Sequence, residues 1–259
     1  MTNTAQVLGI RIHSMPVSKL VEQIIRTIDE GKRIIVAYVN VHAMNIAYEQ
    51  PDFAHFLNSE ANYVFCDGFG VKLGALLLGE KIAYRYTPPD WIDELCAACA
   101  QRGYTLYFLG AAGDVAERAA KHQMKNHPGL RVVGWHHGYF NKTYDHPDNQ
   151  AVIDDINRCK PNILVVGFGM PMQERWLSEN WDRLEAHVAF PVGAMFDYVV
   201  GEVYRAPRWI TDNGLEWLAR LVIEPRRLWK RYMIGLPVFF YRVIRQRLGL
   251  DGRFQHQKA

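Results

Sequence analysis

The chain has 259 residues, 49% hydrophobic and 22% charged, with a net charge of +3 at neutral pH. This size and balance suit one large α/β domain, or one domain plus an appendage, and exclude a disordered, collagen-like or disulfide-stapled chain. The charge is uneven: residues 205–259 carry 12 Lys/Arg and 4 Asp/Glu, a net of +8, which leaves residues 1–204 at −5.

The N-terminus, MTNTAQVLGIRIHS, lacks the apolar stretch behind a basic start that marks a secretory signal. Beyond it, helical periodicity alternates with β-rich runs. A helix is predicted over Val17–Glu30, then strands over Ile34–Val39 and Tyr63–Cys66. Helices follow over Gly70–Leu78 and Trp91–Gln101, a strand over Thr105–Leu109 and a helix over Val115–Asn126. The series closes with strands over Leu130–Gly134, Ile163–Gly167 and His187–Val192, and helices over Asn149–Arg158 and Gln173–Leu184. Apolar strands separated by helices predict βαβ units and a largely parallel sheet, whose functional loops sit at the strands' carboxyl ends.

Charge balance changes near Ala206–Pro207, dividing a core of residues 1–204 from a basic, aromatic tail of residues 205–259. The tail reads as two or three short amphipathic helices: LEWLARLVI, then a second with Pro225 at its first position, then VFFYRVIRQRL after Gly235 and Pro237. Its longest uncharged run, Tyr232–Tyr241, is about half of the ~20 residues a spanning helix needs, so the tail is expected to lie on a membrane rather than cross it. Cys66, Cys96, Cys99 and Cys159 suggest packed core thiols in a reducing cytoplasm. The C-x-x-C of Cys96 and Cys99 lies within a predicted helix and has no second pair.

Candidate chemistry sits at the strand ends. The first strand runs into Asn40, His42 and Asn45; the second delivers Asp67 between Cys66 and Gly68. A carboxylate there can serve as a general base, or it can cap the next helix. Gly110 and Gly113 after the third strand hint weakly at anion binding, without a dinucleotide fingerprint or a Walker lysine. After the fifth strand, Gln173 can bond a sugar or a base, or lie on the surface. After the sixth, Asp197 can pair with an arginine or hold a ligand hydroxyl. No D-x-D occurs, and His136–His137 reads as surface loop, so no metal is expected. In the tail, Arg227 and Arg231 stand one helical turn apart, with Arg220 on the preceding helix, a set suited to a diphosphate.

The stretches VNVHAMNIA, CDGFGV, FLGAAGDVAE, GFGMPMQERW, VGAMFDYVVGEVYRAPRW and GLEWLARLVIEPRR, in this order, resemble the WecG/TagA/CpsF family of bacterial glycosyltransferases. The resemblance implies a Rossmann-like core with a helical C-terminal appendage that completes the site and meets the membrane. It also implies inverting transfer from a UDP-sugar to a polyprenyl-diphosphate-linked saccharide, without metal, at the cytoplasmic face of the plasma membrane. By the same resemblance Asp67 is the base, and Asn40, Arg85, Gln173 and Asp197 belong to the donor pocket. Arg220, Arg227 and Arg231 would hold the lipid diphosphate. The donor could be N-acetylmannosamine, its uronic acid or glucose. Two departures touch the pocket: RYTPPDW places Pro88–Pro89 where a glycine region is expected, and Tyr38 replaces a small polar residue. Two other readings stand beside this one, a soluble nucleotide-dependent enzyme on a similar core and a nucleic-acid or scaffold protein using the basic tail. The acidic body and amphipathic tail favour a lipid partner over nucleic acid, and exposed tail aromatics offer a surface for a homo-oligomer.

Overall fold

A computed structural model describes residues 3–204 and 215–253, without the side chains of Glu216 and Arg227. The boundary expected near Ala206–Pro207 lies outside the described residues. The described strands are β1 (Asn3–Val7), β2 (Ile10–Ser14), β3 (Ile34–Val39), β4 (Tyr63–Cys66), β5 (Thr105–Gly110), β6 (Arg131–His136), β7 (Ile163–Gly167) and β8 (Val188–Pro191). They form one sheet in the order β1-β2-β4-β3-β8-β7-β5-β6. Only β1 and β2 pair antiparallel; all other pairings are parallel. Every residue of β3, β5, β7 and β8 is buried, as expected of parallel strands covered on both faces.

One face is covered by α1 (Val17–Asp29), α5 (Pro88–Arg102), α6 (Val115–Asn126) and α9 (Met195–Val199), through Leu20, Leu95, Val115 and Phe196. The other carries α2 (Val41–Glu49), α3 (Pro51–His55), α4 (Phe69–Leu77), α7 (Pro147–Cys159) and α8 (Met172–Asn180). Met44, Phe53, Val71, Ile153 and Trp176 pack there. Cys66, Cys96 and Cys99 are buried free thiols, and burial pushes Cys66 and Cys99 up to about 12. They are packed core thiols.

Three departures from the predicted elements have local causes. The β1–β2 hairpin was not expected from its sequence; it turns through Leu8 and Gly9, both at positive φ, without an Asn-Gly signal. Helix α5 begins at Pro88 rather than Trp91, because the first helical positions need no intrahelical N–H donor. Strand β6 continues through His136, so His136 is the end of a strand and not a loop residue.

The tail helices are α10 (Glu216–Ile223), α11 (Pro225–Trp229), a π-type turn (Lys230–Ile234) and α12 (Gly235–Arg247). Gly235 and Pro237, expected as an interruption, instead form the first turn of α12. Helix α12 docks on α4 at two glycines one turn apart. A Cβ on Gly74 would lie 2.6 Å from the Phe239 ring, and one on Gly70 would lie 2.6 Å from Val41 and 3.5 Å from Leu236. Phe239 and Val243 are thereby fully buried, and burying a phenylalanine is worth about 2 kcal/mol. Polar ties fix the register: Asn45 donates to the Gly235 carbonyl at 2.8 Å, and Arg242 donates to Asn45 Oδ1 at 2.9 Å. Arg242 and Arg253 lie over Tyr48, 4.2 and 3.7 Å from its centroid.

Candidate active site

The carboxyl ends of the parallel strands open into a cleft of about 1230 Å³, roofed on one side by the tail helices. Glycines bring the strand ends together. A Cβ on Gly110 would lie 2.5 Å from the Gly167 carbonyl oxygen, and one on Gly167 would lie 2.8 Å from that of Gly193. A second, smaller groove of about 230 Å³ runs between α4 and the tail, lined by Phe69, Leu73, Leu236 and Phe240 together with Arg85. Asn40, His42, Asp67, Arg220 and Arg231 line both spaces, so Asp67 stands at their junction.

Each of these groups is placed by its element. The Asp67 amide continues the β3–β4 ladder, donating to the Val39 carbonyl at 2.8 Å. The helix that follows takes Gly68, not Asp67, at its N-cap position. Asn40 caps α2: its Oδ1 accepts from the Ala43 amide at 3.1 Å, which leaves its amide nitrogen directed toward Met170. Burial and the nearby Arg231 charge lower His42 to about 4, so its imidazole is neutral near pH 7. Burial also lowers Arg231, with Arg220 adding to the effect and Asp67 opposing it. Arg231 nevertheless remains cationic at neutral pH, as arginines do in proteins. Arg220 lies 5.7 Å from the Tyr198 ring centroid. Arg85 lines the smaller groove, and Asp197, in the first turn of α9, lines the main cleft. The side chain of Arg227 lies outside the described residues.

Gln173 requires a correction. It is neither on the cleft wall nor on the surface, but fully buried one layer beneath. Its Oε1 accepts from the Gly169 amide at 3.2 Å and the Gly193 amide at 2.9 Å, and its Nε2 donates to Glu174 at 2.7 Å. The carboxamide therefore ties the β7 and β8 loops together and acts on the cleft through their backbone. Glu174 is 1% exposed, and burial raises its carboxyl to about 7.

Sequence reasoning missed the GYFNK segment after β6. Tyr139 is exposed on the cleft rim, and Lys142 lies 4.3 and 4.5 Å from the Phe140 and Phe168 centroids. Extending the strand to His136 would have placed this segment at a carboxyl end, where ligand loops belong. Among the described residues no three His, Cys, Asp or Glu side chains gather as a metal site, and no helix is long and apolar enough to cross a membrane.

Comparison with known proteins matches residues 5–253 to the model of the glycosyl transferase WecG/TagA/CpsF family. The chain is 27% identical over 219 residues to the N-acetylglucosaminyldiphosphoundecaprenol N-acetyl-beta-D-mannosaminyltransferase of Bacillus subtilis (strain 168), covering 85% of this chain and 82% of that protein. It is 26% identical over 247 residues to the protein of the same name from Staphylococcus aureus (strain MRSA252), covering 93% of each. With a family match from the first hairpin to the last tail helix, and a mostly parallel sheet opening into a cleft, the chain belongs to the WecG/TagA/CpsF family of glycosyltransferases.

Proposed function

We propose that this glycosyltransferase moves a hexose-type sugar from a UDP-sugar to a polyprenyl-diphosphate-linked saccharide, with inversion, at the cytoplasmic face of the plasma membrane. The observation that carries this reading is Asp67 at the junction of two differently built spaces. The main cleft, with glycine-flanked strand ends, Tyr139 and Asp197, suits a sugar nucleotide. The smaller groove, apolar along α4 and α12 and bordered by Arg85, Arg220 and Arg231, suits a diphosphate attached to an apolar chain. The related enzymes are named for transfer of N-acetylmannosamine to an N-acetylglucosaminyl-diphosphate lipid, which supports the same substrate class here.

In the reaction, an acceptor hydroxyl loses its proton to the Asp67 carboxylate as its oxygen attacks the anomeric carbon. The bond from that carbon to the UDP oxygen breaks, and UDP leaves with the electron pair. Arginine charge and backbone N–H groups at the strand ends stabilise the leaving diphosphate without a metal. One displacement inverts the centre, so an α-linked donor gives a β-linked product. Gln173 serves by holding the β7 and β8 loops. The exposed Trp229, Met233 and Ile234 would rest at the bilayer surface and bring the groove to the lipid.

The test is transfer by purified protein to a short-chain prenyl-diphosphate N-acetylglucosamine, from UDP-N-acetylmannosamine, its uronic acid and UDP-glucose, with and without EDTA. One productive donor, unaffected by EDTA, is the expected result. Failure of every donor despite saturating acceptor would refute the reading.

A further inference from the structure

Two residues of the main cleft wall and one stacked behind them carry buried polar groups without a hydrogen-bond partner: the Tyr38 hydroxyl, the Thr87 hydroxyl and, behind Tyr38, the Trp91 indole N–H. Tyr38 and Thr87 form part of the cleft wall, and are 2% and 7% exposed. The Trp91 ring stacks on Tyr38, with centroids 5.9 Å apart and planes 25° from parallel. Unmatched buried donors are uncommon, and three in one place need an explanation.

The sequence supplies a cause for Thr87. It stands at the N-cap of α5, where a threonine hydroxyl usually accepts from the second or third helical N–H. Pro89 at the second position has no N–H, and the Asp90 amide at the third donates to the Thr87 carbonyl at 2.8 Å. The Pro88–Pro89 pair thus leaves the hydroxyl uncommitted. Tyr38 is fixed by the sheet: it lies opposite Phe65 in the β3–β4 register, and Asp67 leaves the same pair two residues further along. This wall therefore adjoins the proposed base.

These donors are neutral and are backed by the Tyr38 and Trp91 rings and buried Pro88. A carboxylate buried there would face neutral donors only, whereas an amide carbonyl would be matched and its methyl could pack on the rings. We propose that Tyr38 and Thr87 form a subsite for the N-acyl group of a substrate sugar, oriented by Trp91 stacked behind Tyr38. This rests on the glycosyl-transfer reading of the same cleft and deepens it. Either the donor or the acceptor sugar could supply that group.

Titration calorimetry on the parent, Tyr38→Phe and Thr87→Val would distinguish them. The donor arm compares UDP-N-acetylmannosamine with UDP-mannose; the acceptor arm compares the N-acetylglucosaminyl and glucosyl diphosphates of a short prenyl chain. In one arm the parent should prefer the N-acetylated ligand by roughly 30-fold, falling to within about 3-fold in each variant, while the other arm is unchanged. Because no protein bond is lost, both variants should melt at or above the parent's temperature. A parental preference that survives both substitutions, or is absent from both arms, overturns the subsite while leaving glycosyl transfer intact. A clear loss of thermal stability in both variants would also overturn it, by showing that the hydroxyls are structural. Binding of neither substrate class to the parent would overturn the glycosyl-transfer reading and the subsite with it.

Discussion

Glu174→Gln should stabilise the protein in a strongly pH-dependent way. Glu174 is buried beneath the cleft; its Oε1 accepts from Gln173, and its Oε2 has no hydrogen-bond partner. Burial raises its carboxyl from 4.5 to about 7. The native state therefore holds a proton that the unfolded chain releases more readily, so this residue's contribution to stability is full below about pH 4.5 and is lost as pH rises through about 7. A shift from 4.5 to about 7 corresponds to roughly 3 kcal/mol above the upper value. Glutamine keeps the acceptor for Gln173 and carries no charge to bury. Melting followed by circular dichroism at pH 5 and pH 8 measures the difference between variant and parent, in which other titrating groups largely cancel. The variant should melt roughly 5–10 °C higher than the parent at pH 8, with most of that gap gone at pH 5. An equal gap at both pH values, or a less stable variant at pH 8, would refute the burial argument.

Three further outcomes follow from the same geometry. Gln173→Ala leaves the Gly169 and Gly193 amides without their acceptor and should cost about 2–4 kcal/mol in denaturant unfolding, with kcat/KM falling at least roughly tenfold. Gly74→Leu drives a side chain into Phe239 and should release α12; limited proteolysis should then cleave the tail while residues of the sheet stay protected, and turnover should be lost. Arg231→Ala should raise the acceptor KM roughly 10–100-fold with UDP binding changed far less, as steady-state kinetics beside a UDP titration would show.

The sheet was legible because its central strands are buried on both faces and read as unbroken apolar runs, IIVAYV and ILVVG among them. The hairpin at the N-terminus was not, since NTAQV and IRIHS join through a Leu8-Gly9 turn held by distant side chains: the Leu8 amide donates to Gln246 in α12, and Asn58 donates to the Gly9 carbonyl. Asn40, Asp67 and Asp197 could be named because strand ends are where ligands sit. Gln173 could not be placed correctly by that rule. Its position beside a strand end says nothing of which way its carboxamide turns, and two backbone amides from separate loops turn it inward. Likewise, the groove between α4 and α12 depends on Gly70 and Gly74 meeting side chains more than 160 residues away. No local periodicity encodes that contact.

The most direct test of the mechanism is single-turnover transfer by Asp67→Asn beside a UDP titration of the same protein. A base at the junction of the two spaces predicts that transfer falls roughly 10²–10⁴-fold while UDP affinity stays within about threefold of the parent. Transfer at the parental rate by a fully folded Asp67→Asn would contradict it.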